Sequence, residues 1–315
     1  MRRSLISALG VLVVVLGLAS SNAAAGQPPT QVRFDLQDGN FMIGYAYAPP
    51  RLLGFPHAGK GHGTPVLVMI HGASDTHTVF DFAPGFRAAP ELAELGMPVL
   101  TVDRVGYGAS SHPNGDSLDY PTSAGYVHEV IQAVRNGALG FVPSAVVLLG
   151  PSAGGDIALV EAGTYHDVDG LVVVSNTSQL QPALFQVDFN ALFAQGPYFD
   201  FGVEFRTDFF YYKPFALPFI IDLDNATRAL VPRAEIGSAL ANFAAPFRGQ
   251  VSSPVLLLQA DHDAIFIPVD DSALFVNSPD VSYTQLRFTG HKSFEHPASH
   301  AIAVIDIAKW MGKRF

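Results

Sequence analysis

Cysteine is missing from all 315 residues. Its absence excludes disulfides, thiolate chemistry and thiol metal ligands, and it closes the lipoprotein route, which needs a cysteine at the cleavage site. A domain without disulfides must be held by its core alone, and ~290 residues are enough for that. Charge is also sparse, at 15% of residues, with 18 Lys and Arg against 28 Asp and Glu and a net charge of -10. No run of Lys or Arg forms a basic stripe, which argues against a nucleic-acid partner. The acidic balance instead implies solubility and mild repulsion of anionic substrates. Glycine and proline are scattered rather than clustered, so neither a fibrous nor a low-complexity chain is indicated. We find no internal repeat.

One long apolar run is present, at the N-terminus. Arg2 and Arg3 precede an almost unbroken apolar stretch from Leu5 to Ala19, and small residues follow through Ala25. Positive, apolar, then small is the order of a secretory signal peptide, and cleavage after Ala23 or Ala25 fits. The run is shorter than the ~20 residues of a comfortable bilayer span. The expectation is a signal peptide over 1–25 and a secreted or periplasmic protein; an uncleaved anchor is the alternative. The mature domain would then cover 26–315.

Beyond that leader the chain alternates two periodicities. Gln31–Leu36 and Phe41–Tyr47 flank Asp38-Gly39 as a hairpin would. After a Pro/Gly/His-rich loop from Pro49 to Thr64, continuous apolar runs read as strands buried on both faces. These are Pro65–Ile70, Pro98–Val102, Ala145–Leu149, Gly170–Val174 and Ser253–Leu258, with Thr284–Phe288 last. Helical patterns fall between them at about Phe80–Leu95, Tyr120–Val134, Ala153–Gly163, Asp270–Phe275 and Pro297–Met311. Strands alternating with helices predict an α/β fold with a mostly parallel sheet covered on both faces. The stretch from Asn176 to Gln250 breaks the rhythm. It holds no clear buried strand and is dense in Phe and Tyr, as in Phe209-Phe210-Tyr211-Tyr212. Either it is a satellite apolar cluster, or it is a lid at about 177–250 whose inner face lines an apolar pocket, or both.

The chemistry-bearing motif is Gly150-Pro151-Ser152-Ala153-Gly154, the sole G-x-S-x-G in the chain, set between an expected strand and an expected helix. A sharp turn there exposes the serine, and the helix N-terminus aims free N–H groups at an anion forming beside it. A serine hydroxyl needs a base. Of 11 histidines, His291 follows the last strand directly and is the first choice; His296 and His300 are rivals. His57, His62, His77, His112 and His166 sit in loops or polar stretches and read as surface residues. No spacing among the histidines suggests a metal site. The base needs an orienting carboxylate. Asp263, after the strand ending at Leu258, is preferred, with Asp261 as the alternative, while Asp103 reads as a loop brace. The oxyanion needs two donors: the N–H of Ala153, and that of Ala73 or Ser74 after His71-Gly72. His71 reads as loop-bracing, and Ser74 and Tyr107 are candidate pocket residues.

Together, His71-Gly72, Asp103-Arg104-x-Gly106-x-Gly108-x-Ser110, Gly150-x-Ser152-x-Gly154, Asp263 and Gly290-His291 resemble the α/β-hydrolase superfamily, in its branch of single-domain serine esterases with a helical lid. The resemblance runs from about Val32 to the C-terminus. It implies the α/β-hydrolase fold, a Ser-His-Asp triad working through an acyl-enzyme, and no cofactor. The sequence has His71-Gly72-Ala73-Ser74 in place of the HGGG motif of another esterase branch. It has serine where dehalogenases and epoxide hydrolases of this fold carry aspartate. The expected partner is a small-molecule ester with an apolar acyl or aryl group, with no membrane contact once the leader is removed. The alternatives are the same triad acting on a lactone, thioester, amide, carbon–carbon bond or peroxide, and a non-catalytic ligand-binding relative.

Overall fold

The computed structural model describes residues 28–49 and 63–315. The expected leader, and most of the Pro49–Thr64 loop with His57 and His62, lie outside the described residues. In chain order the elements are β1 (Thr30–Asp35), β2 (Phe41–Tyr47), β3 (Val66–Ile70), α1 (Ala88–Glu94), β4 (Val99–Asp103), α2 (Tyr120–Arg135), β5 (Val146–Pro151), α3 (Ala153–Tyr165) and β6 (Gly170–Val174). The next segment carries α4 (Phe189–Phe193), β7 (Tyr198–Phe199), α5 (Val203–Phe210), α6 (Pro218–Ala226), β8 (Val231–Pro232) and α7 (Arg233–Leu240). Then β9 (Val255–Ala260), β10 (Val281–Leu286) and α8 (His300–Arg314) close the chain.

Eight strands form one sheet in the order β1-β2-β4-β3-β5-β6-β9-β10. The β1–β2 and β2–β4 pairs are antiparallel and the remainder parallel. Side chains alternate across the central strands. Val68, Ile70, Leu148, Val173 and Leu257 face the core shared with α2, α3 and the β6–β9 segment. Leu67, Met69, Val147, Leu149 and Leu258 face a second core under α1 and α8, closed by Leu92, Ile307 and Trp310. Because both faces are covered, β3, β4, β6 and β9 are buried along their whole length, which is why they read as unbroken apolar runs.

Three elements differ from the expected ones. The single helix over Phe80–Leu95 is split into a short 3-10 turn at His77–Asp81 and α1. Pro84 cannot donate a backbone hydrogen bond and Gly85 takes φ +84, so a tight Ala83–Phe86 turn forms between them. The helix at Asp270–Phe275 shrinks to one 3-10 turn, since Asp270 and Asp271 spend their carboxylates on Ser272 and Ser178. The last strand ends at Leu286 rather than Phe288, whose φ of +56 takes it out of the extended region.

The carboxyl ends of β3, β5, β9 and β10 lie along one edge of the sheet. The β6–β9 segment packs over that edge, with Phe199, Phe201, Phe210, Ile220 and Ile236 joining the core beneath. Its two-residue strands β7 and β8 pair only with each other.

Candidate active site

Ser152 caps the N-terminus of α3 at φ +54, ψ −129, a conformation that non-glycine residues rarely hold. The turn requires glycine on both sides. A Cβ on Gly150 would stand 2.2 Å from the Gly154 carbonyl oxygen, and one on Gly154 would stand 2.6 Å from the carbonyl oxygens of Ile70 and His71. The backbone is thus pressed against β3, and the serine side chain is left at the sheet edge.

His291, in the loop after β10, brings Nε2 to 2.7 Å from Ser152 Oγ. Its Nδ1 lies 2.9 and 3.0 Å from the two carboxylate oxygens of Asp263, in the loop after β9. A carboxylate can only accept, so Nδ1 carries the proton and Nε2 presents its lone pair to the serine hydroxyl. Asp263 is itself held, because Oδ1 accepts from the N–H groups of Ile265 and Phe266 at 2.8 and 3.0 Å. Asp263 and His291 are only 3% and 4% exposed, which keeps bulk water from competing for the pair.

The alternative residues are engaged elsewhere. Asp261 accepts from His262 Nδ1 at 2.7 Å and from Thr289 N at 3.0 Å. His296 donates from Nδ1 to the Lys292 carbonyl and accepts at Nε2 from Tyr212 N. His300 opens α8 and bonds the Phe294 carbonyl and Glu91. Asp103 ties His77 and Ala109 together, bracing two loops. His71 is fully buried, donating to the Gly72 carbonyl and accepting from Arg104 N. Burial and the Arg104 charge lower its pKa to about 3, so it stays neutral.

Ala73 and Ala153 both border the cavity that holds Ser152 and His291. Among the described residues neither N–H has an acceptor, so both are available to a developing oxyanion. Two expected pocket residues do not reach that cavity. Ser74 is fully buried, with its Oγ donating to the Ala229 carbonyl and accepting from Arg206, and its carbonyl is occupied by Ala229 N. Tyr107 is also buried and donates to Glu235 at 2.8 Å. Both follow sheet-edge loops that turn inward to meet charges from the β6–β9 segment, and that segment's partners were not readable from the loops themselves.

Two spaces meet at Ser152 and His291. The larger spans about 490 Å³, part of it open to solvent, and is walled by Leu184, Phe189, Phe201, Phe205, Phe210 and Phe266, among others. Apart from the serine and histidine, its polar lining is confined to Tyr120 and Asp156, which bond each other at 2.9 Å. The smaller space has a mixed lining, with Asp75, Lys292 and Glu295 beside Val79 and Phe294, and Phe210 lines both. Lys292 lies within 2.5 Å of Asp75 and 3.1 Å of Asp224, and Arg206 pairs with Asp224 at 2.6 Å. Burial pushes the Glu295 carboxyl up to about 8, and Lys292 at 3.9 Å only partly opposes this. A second buried pair joins Arg104 to Glu235 at 2.6 Å, while Arg104 also donates to the His71 and Gly72 carbonyls. Arg104 therefore fixes the loop that carries Ala73. Arg104 belongs to the motif visible in the sequence, whereas Glu235, 131 positions away, and Lys292, beside His291, carry no such signal.

A mostly parallel sheet that gathers a serine, a histidine and an aspartate at its carboxyl edge defines a hydrolase of the α/β type. The chain matches the model of the alpha/beta hydrolase family over residues 67–304, and it belongs to that family. No curated protein matches it significantly. Among solved structures it is similar to a soluble variant of monoglyceride lipase from Saccharomyces cerevisiae, at 15% identity and TM-score 0.68, over 92% of this chain and 97% of that one. It is also similar to a thermophilic esterase from Thermogutta terrifontis, at 19% identity and TM-score 0.62, over 90% and 98%. A third is E-2-(acetamidomethylene)succinate hydrolase, at 16% identity and TM-score 0.64, over 90% and 99%. At these identities the likeness is one of fold.

Proposed function

We propose that this protein is an exported serine hydrolase, a carboxylesterase acting on esters with an apolar acyl or aryl group. The observation that carries the reading is the unbroken hydrogen-bonded line from Asp263 through His291 to Ser152, at 2.9 and 2.7 Å. His291 Nε2 takes the Ser152 proton as Oγ attacks the ester carbonyl, and the N–H groups of Ala73 and Ala153 hold the oxyanion. His291, kept upright by Asp263, then protonates the departing alcohol, and water activated by the same nitrogen releases the acid. Serine hydrolysis of this kind needs no cofactor.

The Phe-walled space suits the acyl or aryl group, since burying apolar surface there contributes about 25 cal/mol per Å². The smaller space, where Lys292 and Glu295 bring polar groups near Ser152, suits the departing alcohol and the incoming water. The β6–β9 segment acts as a lid in this reading. Export rests on the residue order of segment 1–25, and N-terminal sequencing of the secreted protein tests it.

A fluorophosphonate probe should label the wild-type protein at Ser152 and leave Ser152→Ala and His291→Ala unlabelled. The same two variants should lose at least about a thousandfold in kcat on short-chain aryl esters. A folded wild type that neither labels nor turns over aryl esters overturns the proposal and moves the ligand-binding reading forward. Labelling without ester turnover redirects the search to lactones, thioesters and amides.

A further inference from the structure

A cluster remote from Ser152 is built differently from the rest of the surface. His128 on α2, Glu161 on α3 and Asp167 in the loop after α3 direct one ligand atom each at a common point, all within 4.8 Å of one another. His128 Nδ1 stands 2.8 Å from Asp167 Oδ2 and 3.8 Å from Glu161 Oε1. None of these contacts meets hydrogen-bond geometry. His128 Nδ1, both Glu161 oxygens and Asp167 Oδ1 are buried and have no hydrogen-bond partner among the described residues. Glu161 is fully buried, and an unpartnered buried carboxylate is costly to retain.

We propose that His128, Glu161 and Asp167 form a divalent-cation site, of the zinc class, that clamps α2 and the end of α3 together. An imidazole and two carboxylates suit a borderline cation better than the all-oxygen sets of calcium and magnesium. Bonds of about 2.0–2.2 Å in a tetrahedron put ligand atoms roughly 3.3–3.6 Å apart, and the observed 2.8 and 3.8 Å straddle that spacing. Two carboxylates and a neutral imidazole make the bound site electrically neutral. His128 is 28% exposed at its side chain, which leaves a path for entry and room for a water as fourth ligand.

The surroundings are those of a held ligand set. Gln132 Nε2 donates to Asp167 Oδ2, Arg135 Nε donates to the Asp167 carbonyl, and the Tyr165 ring stacks on His128 at 3.9 Å between centroids. Gln132 holds the Asp167 oxygen that faces His128 and leaves Oδ1 without a partner, and such contacts orient ligands in metal sites. The ligands are separated by 33 and 6 positions in sequence, a spacing that matches no short motif, so sequence reading found no metal site. Glu161 lies nine residues along α3 from Ser152, roughly 13 Å at 1.5 Å per residue, so the role is structural.

The test uses the full chain freed of metal with EDTA, titrated with ZnCl2 by calorimetry, with CaCl2 and MgCl2 as controls. Wild type should take up one zinc per chain, gain a few degrees in Tm at saturation, and ignore calcium and magnesium. Glu161→Gln keeps the shape without the charge and should fold normally by circular dichroism. It should weaken zinc binding about a hundredfold and lose the Tm gain, as should His128→Ala. Aryl-ester turnover should be unchanged in both. Absence of zinc uptake by wild type at about 100 µM, or equal uptake by wild type and both variants, overturns the proposal and leaves a shared proton as what holds the cluster.

Discussion

Two aspartates two positions apart illustrate how much a single residue's partners decide. Asp263 meets His291 and two backbone N–H groups, whereas Asp261 meets His262 and Thr289. Asp263→Asn should therefore lower kcat by about a thousandfold to ten-thousandfold, because an amide can stabilise the wrong imidazole tautomer. Asp261→Asn should stay within about tenfold, and steady-state kinetics on one aryl ester separates the two. Glu295 gives a pH prediction. Its folded carboxyl keeps a proton up to about pH 8, whereas an ordinary one loses it near 4.5. Across that window the folded state carries one more proton, so its contribution to stability is full below pH 4.5 and is lost as pH rises through 8. Glu295→Gln should remove that slope, gaining on wild type by up to about 1.4 kcal/mol per pH unit between pH 5 and 8 in urea unfolding. At this scale Ser152 and His291 were legible because strand-edge position and residue type coincide. Lys292, Glu235 and Glu295 were not, because what matters about them is a partner brought in by a distant segment.

At the scale of elements, the buried parallel strands were the readable part. Gly170–Val174 matches β6 residue for residue, since a strand covered on both faces reads as one unbroken apolar run. Helices were read less well wherever a side chain or a proline competed for backbone groups, as at Pro84 and Asp270. The β6–β9 segment was recognisable only as a break in rhythm, because its helices are short and pack through scattered aromatics. The tie between that segment and the sheet carries a measurable load. Glu235 on α7 neutralises Arg104, and Arg104 in turn holds the loop of Ala73. Glu235→Gln should leave a buried guanidinium underpaired and cost about 3–5 kcal/mol in urea unfolding. It should also lower kcat more than it raises KM, because the loosened Ala73 donor acts on the transition state.

The whole molecule is a two-faced sheet whose functional edge is roofed by its own chain, and the roof is fastened at two places. One is Arg104 with Glu235 and Tyr107; the other is Asp75, Lys292, Asp224 and Arg206. Lifting the roof would part Arg104 from Glu235 and Lys292 from Asp224, while Asp75–Lys292 and Arg206–Asp224 would stay paired. The cost, several kcal/mol for each ion, falls chiefly on Arg104 and Glu235. Access to Ser152, which is only partly buried, then comes through the openings already present rather than from a swinging cover. A consequence follows for kinetics on sparingly soluble substrates. Enzymes whose cover opens at an oil droplet accelerate abruptly once substrate aggregates. With its cover bolted down, this hydrolase should follow a smooth hyperbola through the solubility limit of a medium-chain ester, seeing only dispersed molecules and treating an emulsion as a slow reservoir.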